Sequence, residues 1–176
     1  MALIRGINVG RAKRVAMADL KALVEDLGYS GVRTLLNSGN VVFTSTRGQL
    51  AAAASRIEDG MTRRLGVSAR VLVITAAELE AIVAVNPLAA VARDASRLLV
   101  SVLGNPADRS RLEPLTRQSW EPDALALGSR VAYLWCAQGL LESRLAEAVN
   151  RVLGETTTAR NWATMQKLHA LTQAEP

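Results

Sequence analysis

The sequence predicts an α+β protein made of two tandem ferredoxin-like (βαββαβ) halves with a C-terminal helix. Three observations carry that expectation. A short apolar run at residues 2–7 leads into an amphipathic stretch. Two apolar runs then flank Asn37, Ser38, Gly39 and Asn40, and an alanine-rich stretch and a further apolar run close the order strand, helix, strand, strand, helix, strand. The same order recurs after residue 96. Residue identity between the halves is slight, so the duplication rests on element order.

Each element has its own signal. Residues 2–7 read as a short strand, and Asn8 to Gly10 have the small and polar character of a turn. Met17, Leu20, Leu23, Val24 and Leu27 keep the three-and-four spacing of one helix face, which Gly28 stops. Residues 32–36 and 41–44 form a hairpin, because Asn and Gly tolerate the positive φ of tight turns. Residues 50–65 place Ile57, Met61 and Leu65 in register as a second helix, weakened at Gly60 by about 1 kcal/mol relative to alanine. Residues 70–75 are the fourth strand.

In the second half, residues 77–85 are a linking helix stopped by Asn86 and Pro87, and residues 88–95 are irregular. A strand starts near Arg97, residues 108–113 form a short helix that Pro114 ends or kinks, and residues 123–127 and 130–136 pair around Gly128 and Ser129. Residues 140–153 are a helix, 156–159 a final short strand and 162–171 the terminal helix. The expected organisation is a half at 1–75, a link at 76–96, a second half at 97–158 and the terminal helix at 159–176.

Composition narrows the class. With 49% hydrophobic residues in 176, the chain can bury a core. No run approaches the ~18 uncharged apolar residues of a membrane span, no secretory leader opens the chain, and a cytoplasmic location is the default. The single cysteine, Cys136, sits in an apolar run, which argues against a disulfide framework and for a buried core thiol. Lys and Arg number 21 against 16 Asp and Glu, which favours anionic partners. The excess is local: Arg5, Arg11, Lys13 and Arg14 fall within ten residues that hold no acid.

The opening RGINVG, the following Lys13, Met17 to Leu20, the hairpin NSGNVVF and the closing TARNW with Lys167 and Leu168 together resemble the bacterial domain-of-unknown-function family sixteen-ninety-seven. The resemblance spans essentially the whole chain. It implies two ferredoxin-like halves and carries no settled activity. The chain departs from the pattern where the first strand starts later than usual, where Ala16 replaces a proline, and where Ala163 replaces a second asparagine after Trp162.

Topology adds an inference. In a βαββαβ unit the first strand ends at the edge where the second and third strands turn, so the opening loop and the hairpin should meet. Arg5, Asn8, Lys13, Arg14, Asn37, Ser38 and Asn40 would then surround the start of the first helix. Helix-start amides, small residues and cations are the ingredients of an anion site. The competing reading is that the glycines and asparagines only serve turns and Arg5 pairs with a carboxylate. The loop matches neither a phosphate-binding P-loop nor a dinucleotide fingerprint, and no cofactor is expected.

A second candidate is Arg160 with Asn161, a pair able to grip a carboxylate or phosphate at a strand-to-helix turn, with Thr158 capping the helix. The competing reading is that this segment staples the halves together. His169 is the one histidine and reads as structural, and one His with one Cys excludes an ordinary zinc site. Glu25, Asp26, Glu58 and Asp59 read as solvated helix faces, and Ser38 has no evident base. Aromatics are 3% of residues, which disfavours base stacking on the sheet.

The favoured expectation is non-enzymatic binding of an anionic ligand, a nucleotide-like molecule or a nucleic-acid backbone, at the opening loop. An enzyme acting on a small phosphorylated or carboxylated substrate between the halves, and a structural protein with no ligand, are the alternatives.

Overall fold

The computed structural model describes residues 1–10 and 13–174, and these form two compact units: 1–76 together with the end of the chain from Ala170, and 77–169. Each unit carries a four-stranded sheet whose neighbours all run antiparallel. The α+β, tandem ferredoxin-like architecture with a C-terminal helix is therefore present.

The first unit comprises β1 (Ala2–Ile4), α1 (Met17–Asp26), β2 (Ser30–Leu35), β3 (Asn40–Thr44), α2 (Arg47–Leu50), α3 (Ala53–Leu65) and β4 (Val71–Val73), with sheet order β2-β3-β1-β4. After α4 (Ala76–Ala84), the second unit comprises β5 (Leu98–Leu103), α5 (Arg109–Thr116), β6 (Ala124–Leu127), β7 (Val131–Trp135), α6 (Arg144–Leu153), β8 (Thr157–Asn161) and the first part of α7 (Trp162–Gln173), with order β6-β7-β5-β8.

Several boundaries differ from the sequence reading. β1 ends at Ile4 rather than residue 7, because Gly6 takes φ 66° and turns the chain out of the ladder. The short α2 has no apolar period to announce it; Gln49 Oε1 accepts the Thr46 N–H at its start (3.2 Å). α5 runs through Pro114 to Thr116. A 3₁₀ turn occupies 140–142, and α6 begins only after Ser143, whose Oγ accepts the Ala146 N–H (3.0 Å). β8 extends to Asn161 and passes directly into α7, so the expected strand-to-helix turn does not exist. Asn161 Oδ1 accepts the Thr164 N–H (2.9 Å) in the capping role expected of Thr158, which is buried in β8. Glu58 is not a solvated-face residue, since its Oε1 accepts the Val71 N–H on β4 (2.7 Å).

The first core gathers Ala2 and Ile4 of β1 with Leu20, Leu23 and Val24 of α1 and Ile57 and Met61 of α3. Gly60 explains itself here: a Cβ would stand 2.9 Å from Leu23 Cδ1. Its helix-propensity cost of about 1 kcal/mol is offset by letting Leu23 bury almost completely, worth about 1.5–3 kcal/mol. The second core joins Leu99 and Leu103 of β5 to Leu112, Leu134, Leu145, Val149 and Cys136. Cys136 is a buried core thiol, and burial pushes its pKa up.

Tyr29 lies against Phe43 with ring centroids 4.7 Å apart, and the Arg56 guanidinium sits 5.3 Å from its ring centre. Its hydroxyl is buried without a hydrogen-bond partner among the described residues. Such a hydroxyl costs about 1–3 kcal/mol in desolvation. Tyr29→Phe keeps the ring contacts and is expected to stabilise the protein by about 1 kcal/mol in urea unfolding; a loss of stability would show that the hydroxyl has a partner.

The Tyr133 hydroxyl donates to Ile82 O (2.8 Å), and burial raises its pKa to about 12. The unfolded chain loses this proton near pH 10 and the folded protein does not, so the contribution is intact below about pH 10 and is lost as pH rises towards about 12. Arg160, lowered to about 10 by burial, acts oppositely over the same range, because deprotonation relieves its buried charge. The stability advantage of the wild type over Tyr133→Phe should therefore shrink between about pH 10 and 12, measured by denaturant unfolding at stepped pH.

Candidate functional site: the opening loop

The opening loop is pinned at both of its ends. Ile7 and Val15 are buried in the first core, and Val9, Gly10, Lys13 and Arg14 between them are exposed. Asn8 closes the loop. It adopts φ 56°, a left-handed conformation asparagine tolerates better than most residues. Its Nδ2 donates to Val15 O and to Asn37 O (both 2.8 Å), its Oδ1 accepts the Val15 N–H (2.9 Å), and its own N–H donates to Lys13 O (3.1 Å).

The loop and the β2–β3 turn therefore meet, as the strand order requires. Ile4 N–H donates to Gly39 O (2.8 Å), and a Cβ at Gly39, where φ is 75°, would stand 2.9 Å from both Ile4 and Ile7. That contact closes only on a glycine.

The sequence-selected residues separate into two groups. Lys13, Arg14, Asn37 and Ser38 are exposed. Lys13 and Arg14 enter no ion pair among the described residues. Arg5 is half-buried beside β4, its N–H donating to Arg70 O (2.8 Å). Arg11 lies outside the described residues. Asn8 spends one amide proton on the loop and the other on the β2–β3 turn, so its part is to hold the two together. Asn40 is fully buried, with Nδ2 donating to Leu35 O (2.9 Å) and Ser38 Oγ (3.0 Å), so it braces the turn and does not reach solvent.

Beside the cations stand two exposed apolar residues that sequence reasoning missed, Val9 at 71% and Leu36 at 51% exposure. Each is one residue from the Asn8–Asn37 bond, and Leu36 is itself at φ 56°. Only the strained turn conformation, invisible in a hydrophobic pattern, turns Leu36 outward.

The second candidate is not brought to the surface. Arg160 is 8% exposed, and its Nη1 donates to Thr158 Oγ1 (3.0 Å) and Ala159 O (2.8 Å). Asn161 is the α7 cap. The Trp162 ring packs 6.5 Å from Tyr133 within the second unit. No group of three or more His, Cys, Asp or Glu side chains able to hold a metal occurs among the described residues. No helix among them is long and apolar enough to cross a membrane.

Asn8→Ala removes three side-chain hydrogen bonds and the preference for φ 56°. It is expected to cost about 2 kcal/mol or more and to speed amide exchange at Val15. Unchanged exchange at Val15 would show that the loop holds without this residue.

Comparison with other proteins agrees with this architecture. No curated protein matches the chain. Among solved structures it is similar to the conserved bacterial protein SP0830 from Streptococcus pneumoniae, with 23% identity, 97% of this chain and 96% of the other covered, and a TM-score of 0.72. That likeness is one of fold. The family model described as "Protein of unknown function (DUF1697)" matches residues 1–133, and the chain belongs to that family.

Proposed function

We propose that the protein binds a phosphate-bearing anion, without catalysis, at the opening loop. The observation that carries the reading is the pinned loop itself. Ile7, Val15 and Asn8 anchor the ends of the loop, whose exposed cations, Lys13 and Arg14, stand free of ion pairs among the described residues, on the side of the exposed Asn37 and Ser38. Groups held in place before binding lose little conformational entropy when a ligand arrives. The start of α1 supports the same reading: its N-cap, Ala16, offers the first amides no side-chain acceptor, which suits an external anion, although Asp19 in that turn opposes one.

The aromatics are poorly disposed for base stacking. Tyr133 is buried and Phe43 packs on Tyr29. Contact is therefore with phosphate, indifferent to base sequence and weakened by salt. Arg160 and Asn161, which an enzyme reading would place on a substrate, are engaged in β8 and the α7 cap, so that reading draws no support from them.

Fluorescence anisotropy with short labelled RNA and DNA at ~50 and ~200 mM salt, alongside a labelled nucleoside triphosphate, tests this. Two phosphate contacts would weaken binding about tenfold over that range, and the double variant Lys13→Ala, Arg14→Ala should abolish the salt dependence. Binding unaffected by the double variant would remove the loop from consideration, and a response to the triphosphate alone would narrow the ligand to a nucleotide.

A further inference from the structure

The sheet of the second unit has an edge unlike the edges of the first. The Gly128 N–H donates to Val131 O (2.8 Å), and the register pairs Leu127 with Ala132, Ala126 with Tyr133, Leu125 with Leu134 and Ala124 with Trp135. Antiparallel pairs alternate between hydrogen-bonded and non-hydrogen-bonded. With Gly128–Val131 bonded, Ala126 and Ala124 also face β7, and the N–H and C=O groups of Leu125 and Leu127 point away from it. These two residues, with Ala126, line a cavity of about 450 Å³ whose other wall is Arg109, Glu113, Thr116 and Arg117 of α5 and its C-terminal end.

Edges in the first unit are blunted. β2 is broken by a register shift between Ser30 and Arg33, and Arg33 Nη2 donates to Leu171 O (2.8 Å) at the end of α7. On β4 the Val71 N–H is taken by Glu58. β6 has neither device, and its pairing runs without a shift from Ala124 to Leu127.

Charge selects the occupant. Arg109 Nη1 pairs with Glu113 (2.9 Å), and its Nε donates to Gly128 O (3.1 Å). Arg117 is exposed and enters no ion pair among the described residues, which leaves the groove a surplus of positive charge. We infer that β6 is a β-augmentation site: an extended peptide segment adds as a fifth strand, bonding the outward groups of Leu125 and Leu127 and turning acidic side chains towards Arg117. The main-chain groups demand an extended chain, and the cation demands the acid.

The test uses the full chain with a fluorescein-labelled peptide of alternating aspartate and valine, and a lysine-for-aspartate counterpart. The acidic peptide should raise anisotropy and slow amide exchange at Leu125 and Leu127 while leaving Ala126 unchanged. Arg117→Glu should weaken binding by about tenfold and Arg117→Lys should restore most of it, with thermal unfolding confirming that both variants fold. Equal binding of the lysine peptide would overturn the charge assignment. No binding, with both leucine amides exchanging fast throughout, would overturn the site. Protection that rises with protein concentration alone, together with a doubled molar mass, would assign the edge to a second copy of the chain instead.

Discussion

Burial of the first strand at the centre of its sheet is the constraint on which the first unit depends. β1 lies between β3 and β4, and all three of its residues are fully buried. Because β3 runs antiparallel to it, the chain leaving Ile4 must arrive at the β2–β3 turn. The opening loop is thus placed by strand order and only then shaped by its own residues. Ile7 anchors it, Gly39 permits the approach, and Asn8 ties three segments of main chain together. The exposed cations inherit their position from a hydrophobic decision made a few residues earlier.

The second unit obeys the same constraint with different chemistry. β5 is an inner strand, buried along its whole length, and Ser101 is accommodated there by a hydrogen bond to Thr157 (2.7 Å). The segment after β5 again meets a hairpin turn, but an arginine makes the contact: Arg109 donates to Gly128 O where Asn8 donates to Asn37 O. Its cations are answered nearby, Arg109 by Glu113 and Arg111 by Asp108. The same kind of junction occurs in both units, but in the second its cations are paired, so the two are alike in fold and unequal in charge.

Much of the fold was legible because its signals are local. Three-and-four spacing marks α1, asparagine and glycine mark the hairpin, and Asn86 with Pro87 stops α4. The convergence of the opening loop on the Ser38 turn was also legible, since strand order implies it. What escaped depends on partners distant in sequence. Nothing around Asn40 or Arg160 shows that they are buried, nothing around Glu58 shows that it reaches the Val71 amide, and the saturation of Asn8 requires Val15 and Asn37 to be in place. The polar residues chosen as ligands were therefore a mixture of braces and exposed groups. Burial and hydrogen-bond partners distant in sequence separate the two, and both are tertiary.

Arg33 carries a consequence for how the molecule is made. Its guanidinium donates to carbonyls of Leu171 and Ala174, 138 and 141 residues downstream. At a translation rate of about 5–20 residues per second, those partners follow Arg33 out of the ribosome by roughly 7–28 s. Throughout that interval the first unit can assemble its helices and sheet, while the β2 edge waits for a clasp that arrives only after the whole second unit has been synthesised. Completion of the first unit is timed by a helix end made after the second unit.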